Sequence, residues 1–350
     1  MPISIFDPRT LDEVVRALPP NHRWLTNTFF PRSKPIAGTK ADVDFYKGKR
    51  RMSPFVNPKG AAKGVGKQGF QTNSFDTPML CPKDTTTLDD LQVRVMGEGI
   101  QNSGLTMADR SIIRMAEVMA DFNSMNDRRV EWMCAQALFT GKIPVKGEDV
   151  DYEIDFGFTQ KATCGTTSGY GAVWSTKATA TPLVDLEKAQ QAVVKSGFRR
   201  PNVALMARDA YNEFVACASV LEVLDAKNLT LAVINPTVLP QGITYGGYIP
   251  KLNLSIYIYD EWYVDDQDNV EKPMVPDGTV LLIGTDAGFA IYYGEMAVAD
   301  ETVPGGIRSV IGERTPETWL EHNPVARYLA LQSRPLPAPN MVDSWLVLKV

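Results

Sequence analysis

One run of 35 residues, from Leu105 to Phe139, constrains this chain more than any other. Met115, Val118, Met119, Phe122 and Met125 fall near the i, i+3, i+4, i+7 positions of one helical face, and Trp132, Met133 and Leu138 resume it. A continuous helix of that length is about 50 Å long. The methionines read as core, because Met fills irregular gaps in packed interiors. Asn126, Asp127, Arg128 and Arg129 interrupt the stripe, so a kink or break is expected there. Gly141 reads as the glycine that closes the helix.

The second feature lies upstream. Phe45 to Phe75 contains seven basic residues (Lys47, Lys49, Arg50, Arg51, Lys59, Lys63 and Lys67) and no acid. Its glycines and prolines are too frequent for a helix. Apolar pairs, Phe45/Tyr46 and Phe55/Val56, point to paired extended segments at its base. The reading is a two-stranded excursion with a basic tip, against the blander alternative of a basic linker. Gly64 to Gly69 matches G-x-G-x-x-G, but neither a buried strand before it nor a helix after it is present in the pattern. The phosphate-loop pattern also fails, with Ala61 in place of the first Gly and Gln68 in place of Ser or Thr.

The formal charge is −5 and the apolar content 44%, values of a soluble folded chain rather than of a dedicated nucleic-acid binder. No run approaches the ~20 apolar residues of a membrane span, and the opening MPISIFDPRT lacks the pattern of a secretory signal. Cys81, Cys134, Cys164 and Cys217 are widely spaced and fit a reduced compartment better than a disulfide framework. His22 and His322 are the only histidines, which leaves little room for histidine triads or multi-histidine metal sites. The acids at 260, 261, 265, 266, 268 and 271 lack calcium-loop spacing and read as a solvated turn between two strands. No catalytic signature is present, and no cofactor is implied.

In chain order, Asp7-Pro8 starts a short helix with Leu11, Val14, Val15 and Leu18 on one face, stopped by Pro19-Pro20. The arm that follows carries Trp24, Leu25, Phe29 and Phe30, which must pack either on the chain's own body or on a neighbour. Thr85 to Met96 alternates as a strand or turn. Lys142 to Phe158 reads as a hairpin, and 159–181 as a Thr/Ser/Gly-rich junction. Beyond it the pattern is α/β: helix 182–196, strand Val203–Met206, helix Asp209–Ser219, and strands at 252–259, 280–283 and 289–293. Strands 328–333 and 345–350 end the chain.

A basic β-arm, a long helix, an α/β insertion and a strand-rich tail occur together in one family. On the segments Gly141 to Gly157, Tyr245 to Tyr259, Pro276-Asp277-Gly278 and Thr318 to Val350, the chain resembles the lambda-type major capsid proteins of tailed bacteriophages. The resemblance implies an α+β chain with the Hong Kong-phage capsid fold. It implies an N-terminal arm at 1–37, an extended loop at 38–84, and a peripheral domain at 85–180 with its spine helix at 105–139. An axial domain at 181–312 and a return to the peripheral domain at 313–350 complete it, with the 142–158 hairpin and the C-terminal strands sharing the peripheral sheet. It implies a non-enzymatic subunit that forms pentamers and hexamers of an icosahedral shell around double-stranded DNA, without sequence-specific contacts or a membrane. Scaffolding, portal and decoration proteins are the implied partners. Inter-subunit contacts are expected from the extended loop, at Lys47, Lys49, Arg50, Arg51, Phe55, Val56, Lys59, Lys63, Lys67 and Phe70, and N-arm contacts, within the chain or to a neighbour, from Trp24, Phe29 and Phe30. The alternative is a single-stranded nucleic-acid binder that stacks bases on Phe45, Tyr46, Phe55 and Phe70; a carboxylate-based hydrolase is a third reading.

Overall fold

The computed structural model describes residues 23–45, 52–58, 61–64, 71–87, 89–90, 106–147, 149–227, 237–238, 243–299, 306–323 and 325–350. A short helix α1 (Trp24–Phe29) leads to β1 (Arg32–Pro35), then β2 (Lys40–Phe45) and β3 (Gln71–Asp76), which pair antiparallel. After β4 (Lys83–Thr86) comes the long helix α2 (Met107–Phe139), followed by the hairpin β5 (Lys142–Lys146) and β6 (Asp151–Asp155). Next are β7 (Lys161–Thr163), α3 (Pro182–Gly197), β8 (Val203–Met206), α4 (Arg208–Ala216) and α5 (Ala218–Lys227). Strands β9 (Thr237–Val238), β10 (Ile243–Ile249), β11 (Leu254–Tyr259), β12 (Trp262–Val264), β13 (Glu271–Pro273), β14 (Thr279–Ile283) and β15 (Ala290–Tyr293) follow. The chain ends with β16 (Glu295–Ala299), β17 (Ile307–Ile311), β18 (Thr315–His322), β19 (Val325–Gln332), β20 (Pro335–Ala338) and β21 (Leu346–Lys349).

Helix α2 begins within two residues of its expected start and does not break. Thr106 and Asp109 form a capping box: the Asp109 N–H donates to Thr106 Oγ1 at 3.2 Å, and the Thr106 N–H donates to Asp109 Oδ2 at 2.9 Å. Its first half buries Met115, Val118, Met119 and Phe122 against Leu329 and Leu331 of β19. Its second half, including Val130, Met133 and Leu138, enters the main core. The expected interruption sits at the join between these two clusters. There Asn126 and Asp127 are buried but satisfied: Asn126 Nδ2 donates to the Leu331 carbonyl at 3.4 Å, and Asp127 holds Arg314 and, at 3.2 Å, Arg23. Buried polar groups with partners leave the helical ladder intact. Met125 is the one misplaced core residue, being 54% exposed. It lies one heptad past Val118, and the ~20° drift per heptad carries it off the stripe while Asn126 turns inward.

Gly141 follows the Thr140 C-cap at φ 72°, in the left-handed region, and an added Cβ would collide with Phe158. Gly141→Ala is therefore expected to cost about 2 kcal/mol or more, read as a lower urea midpoint at unchanged slope.

The main sheet has seven strands in the order β7-β21-β14-β8-β11-β10-β9. Its centre is apolar on both faces: β8 (VALM) and β14 (TVLLI) are buried throughout. A smaller sheet runs β1-β15-β20 and another β18-β19-β4. Three assignments from sequence change. The hairpin β5–β6 forms its own ladder, and the C-terminal strands diverge: β20 pairs with β15 and β21 with β14. Leu346, Val347 and Leu348 are all buried, so both faces of β21 are covered in its place beside β14. The helix expected over 209–219 is two helices, because Cys217 is extended (ψ 133°) between them.

The aromatic residues of the N-terminal arm pack on the chain's own body. Trp24, Phe29 and Phe30 are buried, with the Trp24 ring 5.3 Å from Tyr257 and Phe30 5.3 Å from Phe289. The helix expected at 7–18 lies outside the described residues, as does most of the Thr85–Met96 alternation beyond β4.

Candidate functional site

The arm emerges from the body at Gly38, whose N–H donates to Glu295 Oε2 at 2.7 Å. In β2, Ala41, Val43 and Phe45 point inward and Lys40, Asp42 and Asp44 outward or to the rim, the period-2 pattern of a half-buried ribbon. Phe45 meets Phe75 edge-on at 6.2 Å, and Phe75 meets Phe156 of the segment after β6 at 5.3 Å. The base of the arm is thus welded to the body by a row of three aromatic rings. Beyond it, Phe55 is 103% exposed, Met52 and Val56 are exposed, and Lys63 is exposed. Lys47, Lys49, Arg50, Arg51, Lys59, Lys67 and Phe70 lie outside the described residues.

The acids at 260–271 fall where the turn was expected, in the hairpin β12–β13. Asp265 and Asp268 both pair with Lys272, which holds the Lys272 ammonium above its ordinary pKa and the Asp265 carboxyl below its own. Asp260 takes Arg208, with Nε at 2.6 Å. Among the described residues no group of three or more His, Cys, Asp or Glu is placed to hold a metal ion. No described helix is long and apolar enough to cross a membrane.

This hairpin leans on the spine. Trp132 and Tyr263 meet at 6.0 Å, and Arg129 of α2, its charge disfavoured by burial, pairs with Asp266 while lying 5.2 Å over Trp132. Between the spine, the hairpin and the segment 76–82 runs a groove, with voids of about 770 and 700 Å³ on its two stretches. Met79, Met125, Trp262 and Val264 line it, each half or more exposed. Sequence reading missed this groove. Its walls come from positions up to two hundred residues apart, and no local pattern pointed to it. A second apolar surface is formed along β17–β19, where Ile307, Ile311, Leu320 and Val325 are exposed.

The family description "Phage major capsid protein E" matches residues 7–350. The chain is 23% identical over 332 residues to the P21 prophage-derived major head protein of Escherichia coli O6:H1 (strain CFT073), covering 92% of both chains. The same figures hold for the major capsid protein of Enterobacteria phage P21. A crystal structure of a prophage capsid protein from E. coli CFT073 superposes with a TM-score of 0.66 at 18% identity, covering 97% of this chain and 96% of that one. The fold is the α+β fold of phage capsid proteins. With the match running through the spine, the arm base and the terminal strands alike, the chain belongs to the phage major capsid protein E family.

Proposed function

We infer that this chain is the repeating subunit of a tailed-phage head. Copies associate into pentamers and hexamers and tile an icosahedral shell around double-stranded DNA, held without sequence-specific contacts. Its role is structural rather than catalytic. The observation that carries this reading is the family match over nearly the whole chain. The surface is consistent with it: exposed apolar side chains are spread over the arm, the groove and the β17–β19 region rather than gathered into one pocket. A shell subunit needs many modest contacts, since an exposed ion pair contributes only about 0–1 kcal/mol and strength comes from number.

In this reading residues 1–37 are the N-terminal arm, 38–84 the extended loop, 85–180 the peripheral domain and 181–312 the axial domain, with 313–350 returning. The basic loop reaches a neighbouring subunit through Phe55, Val56 and its lysines. A separate scaffolding protein, a portal and a decoration protein are the remaining partners, and the protein resides in the virion after assembly in the host cytoplasm. Neither the family nor the matched proteins support a single-stranded nucleic-acid binder.

Expressed alone or with its scaffolding protein, the chain is expected to form hollow shells or capsomers in negative-stain micrographs. A monomer that stays monomeric at high concentration under both conditions overturns the reading.

A further inference from the structure

At the polar turn of the spine, one carboxylate oxygen serves two distant parts of the chain. Arg23, next to α1, and Arg314, at the root of the β18–β19 hairpin, both pair with Asp127 Oδ1. We propose that Asp127 is a shared counter-ion that sets the N-terminal segment and the hairpin root in competition, so that withdrawing Arg23 tightens the root. The inference concerns the single chain and stands or falls independently of the shell reading.

The Asp127 side chain is only 3% exposed, and those of Arg23 and Arg314 are mostly buried. Charges in such a place are weakly screened. Two guanidinium groups drawn to one oxygen therefore also repel each other, and each weakens the hold of the other.

The two arginines are not held equally. Arg314 also donates to Asn123 Oδ1, one turn back along α2, so two side chains of the spine grip it. Arg23 reaches Asp127 at 3.2 Å, and its Nε is buried with no acceptor. A buried donor left unpaired carries its full desolvation cost. Arg23 is therefore the partner poised to leave, and Arg314 the one that then has the oxygen to itself.

The hairpin root is built to respond. Arg314 immediately precedes β18, and the Glu313 carbonyl accepts from Ser333 Oγ at 2.6 Å, just past the end of β19. Asn126 Nδ2 donates to the Leu331 carbonyl at 3.4 Å, within β19 itself. Both strands thus leave from one stretch of the spine, residues 123–127, while Leu320 and Val325 near the hairpin tip are exposed. A firmer Arg314 contact acts on both strands at once. At the other end of the competition, the Asn27 N–H donates to the Arg23 carbonyl at 2.9 Å, so the first turn of α1 reports the state of Arg23.

Hydrogen exchange on the full chain tests this, with the amides of β8 as the reference for global opening. In Arg23→Ala, exchange at 315–318 and 329–333 is expected to slow about fivefold or more relative to that reference. Coupling is reciprocal, so Arg314→Gln is expected to slow exchange at 24–27. In an Asp127→Asn background, Arg23→Ala is expected to leave the hairpin root unchanged. If Asp127→Asn does not fold, Arg314→Gln serves as that background, because the root then lacks the arginine that competes. A root that exchanges at the same rate or faster in Arg23→Ala overturns the competition. So does a slowing that persists in either background, since a purely structural effect of Arg23 needs neither Asp127 nor Arg314.

Discussion

Replacing Glu131 by alanine is expected to destabilise the chain by about 3–5 kcal/mol, and to release its N-terminal segment. The Glu131 carboxylate is almost fully buried, yet it accepts four hydrogen bonds: from the Leu25 N–H at 2.7 Å, the Thr26 N–H at 3.0 Å, the Thr26 hydroxyl at 2.6 Å and the Tyr259 hydroxyl at 2.9 Å. Two of these donors are orphan N–H groups at the start of α1, so a residue of the spine does the work of that helix's own missing cap. Alanine leaves all four donors without this acceptor and opens a void beneath Trp24. The expected readouts are a lower urea midpoint and faster hydrogen exchange at residues 24–30, with other amides protected. Unchanged exchange there would show that the aromatic packing of Trp24 and Phe30 holds the segment alone.

The same group predicts a pH dependence. Burial pushes the Glu131 pKa above its ordinary value, against the pull of the four hydrogen bonds. A raised folded pKa means that the folded state binds the proton more tightly. This contribution is therefore fully present below the unfolded value near pH ~4.3 and declines as pH rises through the folded value. The stability of wild type relative to Glu131→Gln should fall as pH rises through that window, whereas a flat or rising difference counts against it.

Trp345→Ala is the second large effect, at about 3–5 kcal/mol. The side chain is completely buried, stacked on Phe158 at 4.7 Å and edge-on to Phe289 at 5.3 Å. Its indole N–H donates at 2.8 Å to the carbonyl of Leu138, one of the last carbonyls of α2, which the helix itself leaves unpaired. One residue thus caps the spine, fills the core and positions β21 for its place beside β14. Trp345→Phe keeps most of the volume and loses the donor, so its cost should be nearer 1–2 kcal/mol. Equal midpoints for the two variants in urea denaturation would show that the hydrogen bond, not the volume, dominates.

Local pattern was enough for the elements whose partners are close in sequence. The spine helix, the β5–β6 hairpin, the strand at 203–206 and the acidic turn at 265–269 were all legible, because a helical stripe or a short alternation records its own geometry. Strand pairing was not. β21 and β19 are both strands by pattern, yet one joins the seven-stranded sheet and the other the three-stranded sheet with β4. That choice depends on which faces find cover, a property of the assembled body. Met125 failed for a related reason: a heptad count says which residues share a face, but not where the face turns away from its neighbour.

The candidate site divides in the same way. The basic arm and its bare Phe55 could be read directly, since an acid-free stretch of glycines, prolines and lysines has no core to join. The groove along the spine could not be read, because its walls come from 76–82, 125–133 and 261–272 and meet only in the folded chain. By itself the sequence determined a long spine, a basic arm and a family resemblance, all carried by local periodicity and composition. Only the tertiary structure decided that Glu131 holds the N-terminal arm to its own body, that the closing strand inserts beside β14, and that an open apolar groove lies along the spine. Each of these depends on long-range burial, which no local pattern encodes.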